Sequence, residues 1–210
     1  QMLLASQLNK LDNQKLDGIA MPFDQKAVKD FVGALPFALT NAQRRAAWQI
    51  IQDFESAVPM NRLLQGDVGS GKTVVAALAA RQAAVAGYQT AVMSPTEILA
   101  RQHAATLANL LEPFGVTVGL LIGGVKGKAR ELIYDGIKSG SVAVVVGTHA
   151  LIQDTVQFHN LSFLVIDEQH RFGVEQRQKL LNKAHKMPHL LAMTATPIPR
   201  SLALTLYGEL

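Results

Sequence analysis

The sequence predicts an α/β protein built on a doubly wound parallel sheet. Short, nearly uniform apolar runs, such as residues 163–166 and 190–193, alternate with segments of helical periodicity over most of the 210 residues. Uniform apolar runs are typical of strands that helices cover on both faces. Repeated strand–helix units favour parallel strands joined by right-handed crossovers.

A helical lead-in is predicted ahead of the first strand. Residues 1–20 carry leucines at helical spacing, and the pair Met21-Pro22 ends that segment. Asp24 is a good N-cap for a short second helix. From Thr40 onward the character of the chain changes, because strands begin to alternate with helices.

The alternating part of the chain gives the order of the predicted elements. Helices are predicted through residues 46–54, from the glycine-rich loop to Ala86, and over 97–111, 128–137 and 174–183. Strands are predicted at residues 62–65, 90–93, 116–122, 142–146, 163–166 and 190–193.

Composition excludes several classes of protein. Hydrophobic residues make up 49% and charged residues 17%, which excludes a disordered or coiled-coil chain. Cysteine is absent, which excludes a disulfide framework and thiolate metal sites. No apolar run approaches about 18 residues, so no membrane span is predicted. The net charge of +4 permits a nucleic-acid partner without arguing for one. Because the chain begins at Gln1, we expect it to be a piece of a longer protein.

A glycine-rich loop stands between the first predicted strand and the helix that follows it. Residues 66–73 match the pattern G-x-x-x-x-G-K-[ST]. Glycines let backbone N–H groups turn inward as an anion nest, and the helix start adds the positive end of its dipole. Lys72 would supply a charge for the β- and γ-phosphates, and Thr73 a hydroxyl for Mg²⁺. The predicted nucleotide-binding residues are Gly66, Asp67, Val68, Gly69, Ser70, Gly71, Lys72 and Thr73.

Two carboxylates, Asp167 and Glu168, follow the apolar strand at 163–166. Ligands of a parallel sheet sit beyond the carboxyl ends of its strands, so this pair is expected on the same edge as the phosphate loop. One carboxylate can hold Mg²⁺, and the next can orient and polarise an attacking water.

Further segments resemble the superfamily 2 helicases of the DExH type. Residues 167–170, Asp-Glu-Gln-His, resemble the DExH box, and residues 193–197, Met-Thr-Ala-Thr-Pro, resemble the S/T-A-T motif. Residues 94–102 resemble the P-T-x-x-L-A-x-Q element, and residues 147–151 stand in the place of a later loop that contacts nucleic acid. The order of these motifs resembles a complete first lobe, which implies the RecA-like P-loop NTPase form of the sheet.

The longer strings at residues 167–174 and 193–200 resemble the RecG family of bacterial ATP-dependent DNA helicases, which remodel branched DNA. The resemblance covers residues 35–210 and leaves residues 1–34 as a helical linker from an upstream domain. A transcription-repair coupling factor has a similar motor and is an alternative, although its box usually reads Asp-Glu-Glu-His instead of the form with Gln169. A self-contained P-loop ATPase, kinase or nucleotide switch is another alternative, but no segment signals an acceptor pocket or a lid.

The resemblance implies a role for each motif residue. Lys72 and Thr73 would bind phosphates and Mg²⁺, Asp167 the metal, and Glu168 would activate water. The residues implied in coupling nucleotide state to DNA are Gln169, His170, Thr194 and Thr196, and those implied in touching the DNA backbone are Pro95, Thr96, Gly147 and Thr148. It further implies ATP and Mg²⁺ as cofactors, sequence-independent binding of branched DNA, a second RecA-like lobe and an upstream DNA-binding domain in the same polypeptide, and a bacterial cytoplasmic location.

Gln43 and a few basic residues have more than one interpretation. Residues 37–43 resemble the Q motif that reads adenine, yet Thr40-x-x-Gln43 is also a capping box, and the two interpretations are compatible. His103, on a predicted Ala-rich helix, is expected to be structural. The basic residues of 126–130 would form either a phosphate-binding stripe or a solvated helix face.

Overall fold

The computed structural model describes residues 18–195. The leucines predicted to form the lead-in and Thr196 lie outside the described residues. Within them, six strands form one fully parallel sheet in the order β1-β6-β5-β2-β4-β3. The strands are β1 Asn61–Gln65, β2 Gln89–Met93, β3 Val118–Leu121, β4 Val144–Gly147, β5 Leu161–Asp167 and β6 His189–Thr194.

Helices connect the strands and cover both faces of the sheet. They are α1 Gln25–Ala34, α2 Asn41–Phe54, α3 Lys72–Val85, α4 Glu97–Leu111, α5 Lys128–Ser139 and α6 Val174–Leu181. The predicted cap forms at α1, where the Asp24 side chain accepts a hydrogen bond from the backbone N–H of Ala27. None of the described helices is long and apolar enough to cross a bilayer.

The doubly wound form of the sheet is confirmed by its two separate hydrophobic cores. On β5, Phe163 and Val165 belong to one core, whereas Leu164, between them, belongs to the other. Side chains alternate between the faces of a strand, so an apolar residue at every position fills both cores at once. Helix α3 is buried through residues 74–83, mostly alanine and valine, which lets neighbouring helices approach it closely.

The observed boundaries differ from the prediction mainly at the third and fourth strands. The predicted strand at 116–122 shortens to β3, and the one predicted at 142–146 begins two residues later as β4. A 3-10 turn at Glu112–Phe114 precedes β3, and Val142 packs against Gly119 instead of entering the ladder. Helix α5 ends at Ser139 and is capped by Gly140, whose φ of 81° is the left-handed conformation that glycine adopts at low cost.

Candidate nucleotide-binding and hydrolysis site

The predicted phosphate loop leaves β1 and turns directly into α3. Gly69 and Gly71 take φ values of 79° and 84°, which a side chain would strain. Gly71 is the N-cap of α3 and gives it no side-chain hydrogen bond, so the first N–H groups of the helix remain available to an anion. At Gly66, an added Cβ would lie 2.6 Å from the Ser70 hydroxyl oxygen, which means that glycine keeps the loop narrow.

Lys72 folds its side chain into this loop. Its Nζ donates to the carbonyl oxygens of Gly66 at 2.6 Å and Asp67 at 2.9 Å. These neutral partners are weaker than the phosphate oxygens for which the motif supplies a cation. A narrow glycine loop, exposed helix N–H groups and a centred ammonium group therefore fit the triphosphate of ATP.

Gln43 holds the phosphate loop from the start of α2. Its Oε1 accepts from the backbone N–H of Thr40 at 2.8 Å and its backbone N–H donates to the Thr40 hydroxyl, so the predicted capping box forms. Its Nε2 also donates to the carbonyl of Ser70 at 2.9 Å. A Cβ on Gly71 would lie 2.2 Å from that nitrogen, so only glycine lets the amide approach. The amide keeps one N–H and one oxygen lone pair, which is the capacity that adenine recognition requires.

The acid pair lies on the same sheet edge as the phosphate loop, with only β6 between them. The N–H of Gly66 donates to the carbonyl of Thr194 at 3.2 Å, and the N–H of Glu168 donates to that of Met193 at 2.9 Å. Consecutive residues of β6 thus bind the backbone of the phosphate loop on one side and the backbone of Glu168 on the other. The loop and the acid pair lie at one edge of the sheet, as expected from the sequence.

Glu168 is held in an unusual backbone conformation. Its φ of 49° and ψ of 54° are left-handed, and Glu168 is the single non-glycine residue with positive φ among residues 18–195. Its carboxylate accepts from the Thr194 hydroxyl and from the N–H of Ala195, each at 3.2 Å. His170 Nδ1 lies 3.4 Å from the same carboxylate. Three of the residues assigned to catalysis and coupling, Glu168, His170 and Thr194, are therefore in direct contact.

Asp167 is almost buried and has a partner that the sequence prediction missed. His103 Nε2 on α4 lies 2.8 Å from Asp167 Oδ2. The sequence predicted a structural role for His103 but no partner, because 64 residues separate the two side chains and no local pattern joins them. Among the strands, α4 packs mainly against β3 and β4, so nothing in the sequence indicated that His103 reaches the residue that ends β5.

The donor set fits a magnesium ion that is shared with a nucleotide. Thr73 and Asp167 offer hard oxygen ligands, which Mg²⁺ prefers. Within residues 18–195, no group of three or more histidine or acidic side chains could hold a metal alone. Mg²⁺ commonly takes one or two protein ligands and completes its shell with phosphate oxygens and water.

The residues assigned to DNA lie on the same edge but at the ends of other strands. Pro95 and Thr96 follow β2, and Gly147 ends β4 with Thr148 after it; the N–H of Ser94 donates to the carbonyl of Gly147 at 2.8 Å. An open cleft of about 540 Å³ runs beside them and is lined by Pro95, His149, Arg171, Phe172 and Gln176.

Two of the residues assigned to DNA, Thr96 and Gly147, also have structural roles. The Thr96 hydroxyl caps α4 by accepting from the N–H of Leu99 at 3.3 Å. A Cβ on Gly147 would lie 2.3 Å from the carbonyl oxygen of Leu121, so close strand packing alone requires glycine there.

Arg130 makes hydrogen bonds within the protein, so its guanidinium is not part of an open basic surface. Its guanidinium donates to the Tyr134 hydroxyl and the Gln153 side chain, each at 2.6 Å, and to the carbonyl of Val125 at 3.3 Å. The side chains of Lys126 and Lys128 are exposed. Of the two interpretations of this segment, the structure therefore favours a helix surface over a continuous phosphate-binding stripe.

The sheet and its edge define a class of protein: a RecA-like lobe with a phosphate loop and an adjacent acid pair. The profile of the DEAD/DEAH box helicase family matches residues 40–205, and the chain belongs to that family. Within it, the chain is 53% identical, over 96% of its length, to the ATP-dependent DNA helicase RecG of Bacillus subtilis (strain 168). It is 52% identical, over 99% of its length, to the RecG of Thermotoga maritima. The resemblance to RecG is thus confirmed, and the chain spans 29% and 26% of these two relatives.

Solved structures agree with this relationship. A RecG bound to a three-way DNA junction superimposes with a TM-score of 0.83 at 49% identity, covering 98% of this chain and 27% of that one. A hypothetical ATP-dependent RNA helicase from Sulfolobus tokodaii matches with a TM-score of 0.65 at 18% identity, covering 88% of this chain and 55% of that one, which supports the fold alone. These relatives favour the RecG interpretation of the sequence over a transcription-repair coupling factor or a self-contained kinase.

Proposed function

We propose that this chain is the ATP-binding motor lobe of an ATP-dependent DNA helicase that remodels branched DNA. The observation that carries the proposal is the double attachment of β6, which joins the phosphate loop at Thr194 to the acid pair at Met193. The RecG relatives support branched DNA as the substrate, since a RecG structure contains a three-way DNA junction. We further propose a location in the bacterial cytoplasm, because the RecG relatives are proteins of bacteria that act on DNA.

Nucleotide binding begins at the phosphate loop. Lys72 exchanges its two carbonyl partners for phosphate oxygens, and the N–H groups at the start of α3 donate to the same phosphates. Gln43 uses its remaining donor and acceptor on the adenine edge while its bond to Ser70 keeps the loop closed. The ATP affinity of this lobe therefore rests on backbone geometry and one ammonium group.

Hydrolysis depends on the acid pair. Thr73 and Asp167 would hold Mg²⁺, which when bound neutralises charge on the phosphate oxygens. Glu168 accepts a proton from the attacking water and orients that water toward the γ-phosphate. Its carboxylate is held by Thr194 and Ala195, so the base is placed before the substrate arrives.

Coupling to DNA uses the residues around Glu168. Thr194 and His170 touch the carboxylate that faces the reacting water, and we assign Gln169 and Thr196 to the same task. The proposed DNA contacts are Pro95, Thr96, Gly147 and Thr148, at the ends of β2 and β4. Hydroxyl and backbone N–H groups suit phosphates without reading sequence, as a translocating motor requires.

The experiment that tests this function measures phosphate release from ATP by the full-length protein. We expect release to rise severalfold with a three-way DNA junction and to depend on Mg²⁺. A matched reaction with Lys72→Ala should lose both basal and stimulated release, because the phosphate loop lacks its cation. Release that is indifferent to DNA, or a Lys72→Ala variant with full activity, would contradict the proposed function.

A further inference from the structure

The contact between His103 and Asp167 joins two parts of the lobe that have separate tasks. The distance from His103 Nε2 to Asp167 Oδ2 is 2.8 Å, and the two side chains are only 15% and 10% exposed. A carboxylate only accepts, so the ring nitrogen facing it carries the proton and donates. A shielded hydrogen bond to a charged acceptor restrains orientation more strongly than a solvated one.

Helix α4 begins at a proposed DNA contact and also carries the histidine that reaches the acid pair. The helix starts at the Thr96 cap, one of the proposed DNA contacts, and is fixed beneath by buried residues such as Ala100 and Leu107. His103 stands seven residues after Thr96, two turns along the same helix face, which is about 10 Å of axis.

We propose that His103 is a positioning residue for Asp167, which rests on the proposed function. By donating to Oδ2, it selects one rotamer of Asp167 and leaves Oδ1 to face a divalent cation shared with the nucleotide. The same helix therefore carries a proposed DNA contact, Thr96, and the residue that orients the proposed metal ligand.

The test compares affinity for ATP with and without Mg²⁺ in the full-length protein. A non-hydrolysable ATP analogue is titrated in saturating Mg²⁺ and again in EDTA. Loss of a partner that orients a metal-binding carboxylate costs about 10-fold or more in metal affinity. We therefore expect His103→Leu to weaken binding about 10-fold in Mg²⁺ and to leave binding in EDTA unchanged.

Two conservative variants keep the test decisive if His103→Leu does not fold. His103→Gln places an amide N–H near the position of Nε2 and should retain the wild-type preference for Mg²⁺, whereas His103→Asn is one bond shorter and should lose it. His185→Leu, at an exposed histidine, is the matched control and should change neither affinity.

The possible results separate this inference from the function on which it rests. Equal weakening in Mg²⁺ and EDTA, or no difference between the glutamine and asparagine variants, would overturn the positioning role alone. A wild-type protein that binds the analogue equally with and without Mg²⁺ would overturn the proposed function, and this inference with it.

Discussion

Glu168 is the residue on which the proposed chemistry depends most directly. Its Oε2 is contacted by both Thr194 and His170, its Oε1 accepts from the N–H of Ala195, and it follows the proposed metal ligand in the chain. A base that must be ready when the nucleotide arrives benefits from such fixed partners, because reorganisation during the reaction is avoided.

Glu168→Gln should separate binding of ATP from its hydrolysis. The amide preserves size but cannot take a proton, and general-base catalysis contributes about 10²–10⁴-fold in rate. We expect turnover to fall at least about 100-fold while ATP affinity stays near wild type. Parallel measurements of phosphate release and nucleotide affinity check this. An unimpaired Glu168→Gln enzyme would show that another group is the base.

The phosphate loop and the acid pair could be predicted as single residues, but their partners could not. The loop follows a local pattern of eight positions between a strand and a helix, and that pattern alone predicts phosphate binding. The His103–Asp167 bond and the Arg130–Gln153 bond join residues that are 64 and 23 positions apart. Such pairs form only when the helices pack on the sheet, and local periodicity does not predict that packing geometry.

Among the elements, β6 is tied to the start of the described chain through a buried histidine. His189 Nδ1 accepts from the N–H of Met60 at 3.0 Å, so Nε2 carries the proton that it donates to the carbonyl of Ile19 at 2.6 Å. The ring also packs 4.9 Å from that of Phe54. Burial lowers the pKa of His189 below its ordinary value of 6.5, although the bond to Ile19 and the charge of Asp53 oppose this shift.

The buried, neutral His189 predicts that the free energy of unfolding falls at acid pH. Because the pKa of His189 is lower in the folded chain, the folded state favours the neutral ring. Its contribution to stability is complete above pH 6.5 and is lost as the pH falls from there toward the folded-state pKa. Equilibrium denaturation at pH 7.5 and at pH 5 should show a lower free energy of unfolding in acid.

His189→Leu should be less stable at neutral pH and less sensitive to acid. It would leave the Met60 N–H and the Ile19 carbonyl without partners, at about 1–3 kcal/mol for each group, and it removes the titrating ring. Substituting the exposed His185 in the same way serves as the control. An unchanged pH slope in His189→Leu would contradict this account.

The alternation of helices and strands was predictable, whereas the order of the strands was not. Uniform apolar strings such as that in β5 mark strands covered on both faces, and caps such as Asp24 mark helix starts. The placement of β6 between β1 and β5 depends on packing among elements far apart in the chain. That placement is the feature that brings both halves of the candidate site together.

Considered as a unit, the described lobe exposes its candidate nucleotide-binding edge to solvent. Val68 is 90% exposed, and the loop residues around it are open to solvent. The resemblance to superfamily 2 motors implies a second lobe that would close over this edge and supply an arginine to the transition state. A comparable arginine is worth about 10³–10⁵-fold in rate in related hydrolases.

These 210 residues alone should therefore bind ATP weakly and hydrolyse it slowly. We expect turnover at least about 10³-fold below that of a full-length protein that contains both lobes. Single-turnover phosphate release by the two proteins under identical conditions makes the comparison. Turnover by the isolated chain at the rate of the longer protein would show that it needs no second lobe.

The left-handed backbone at Glu168 has a cost in folding stability at the position of the proposed catalytic base. Glycine would adopt those dihedral angles at less cost, since a non-glycine residue there sacrifices on the order of 1 kcal/mol. The carboxylate offsets this cost through the hydrogen bonds that it accepts from Thr194 and Ala195. Glycine at that position would relax the backbone, but it would remove both bonds together with the proposed base.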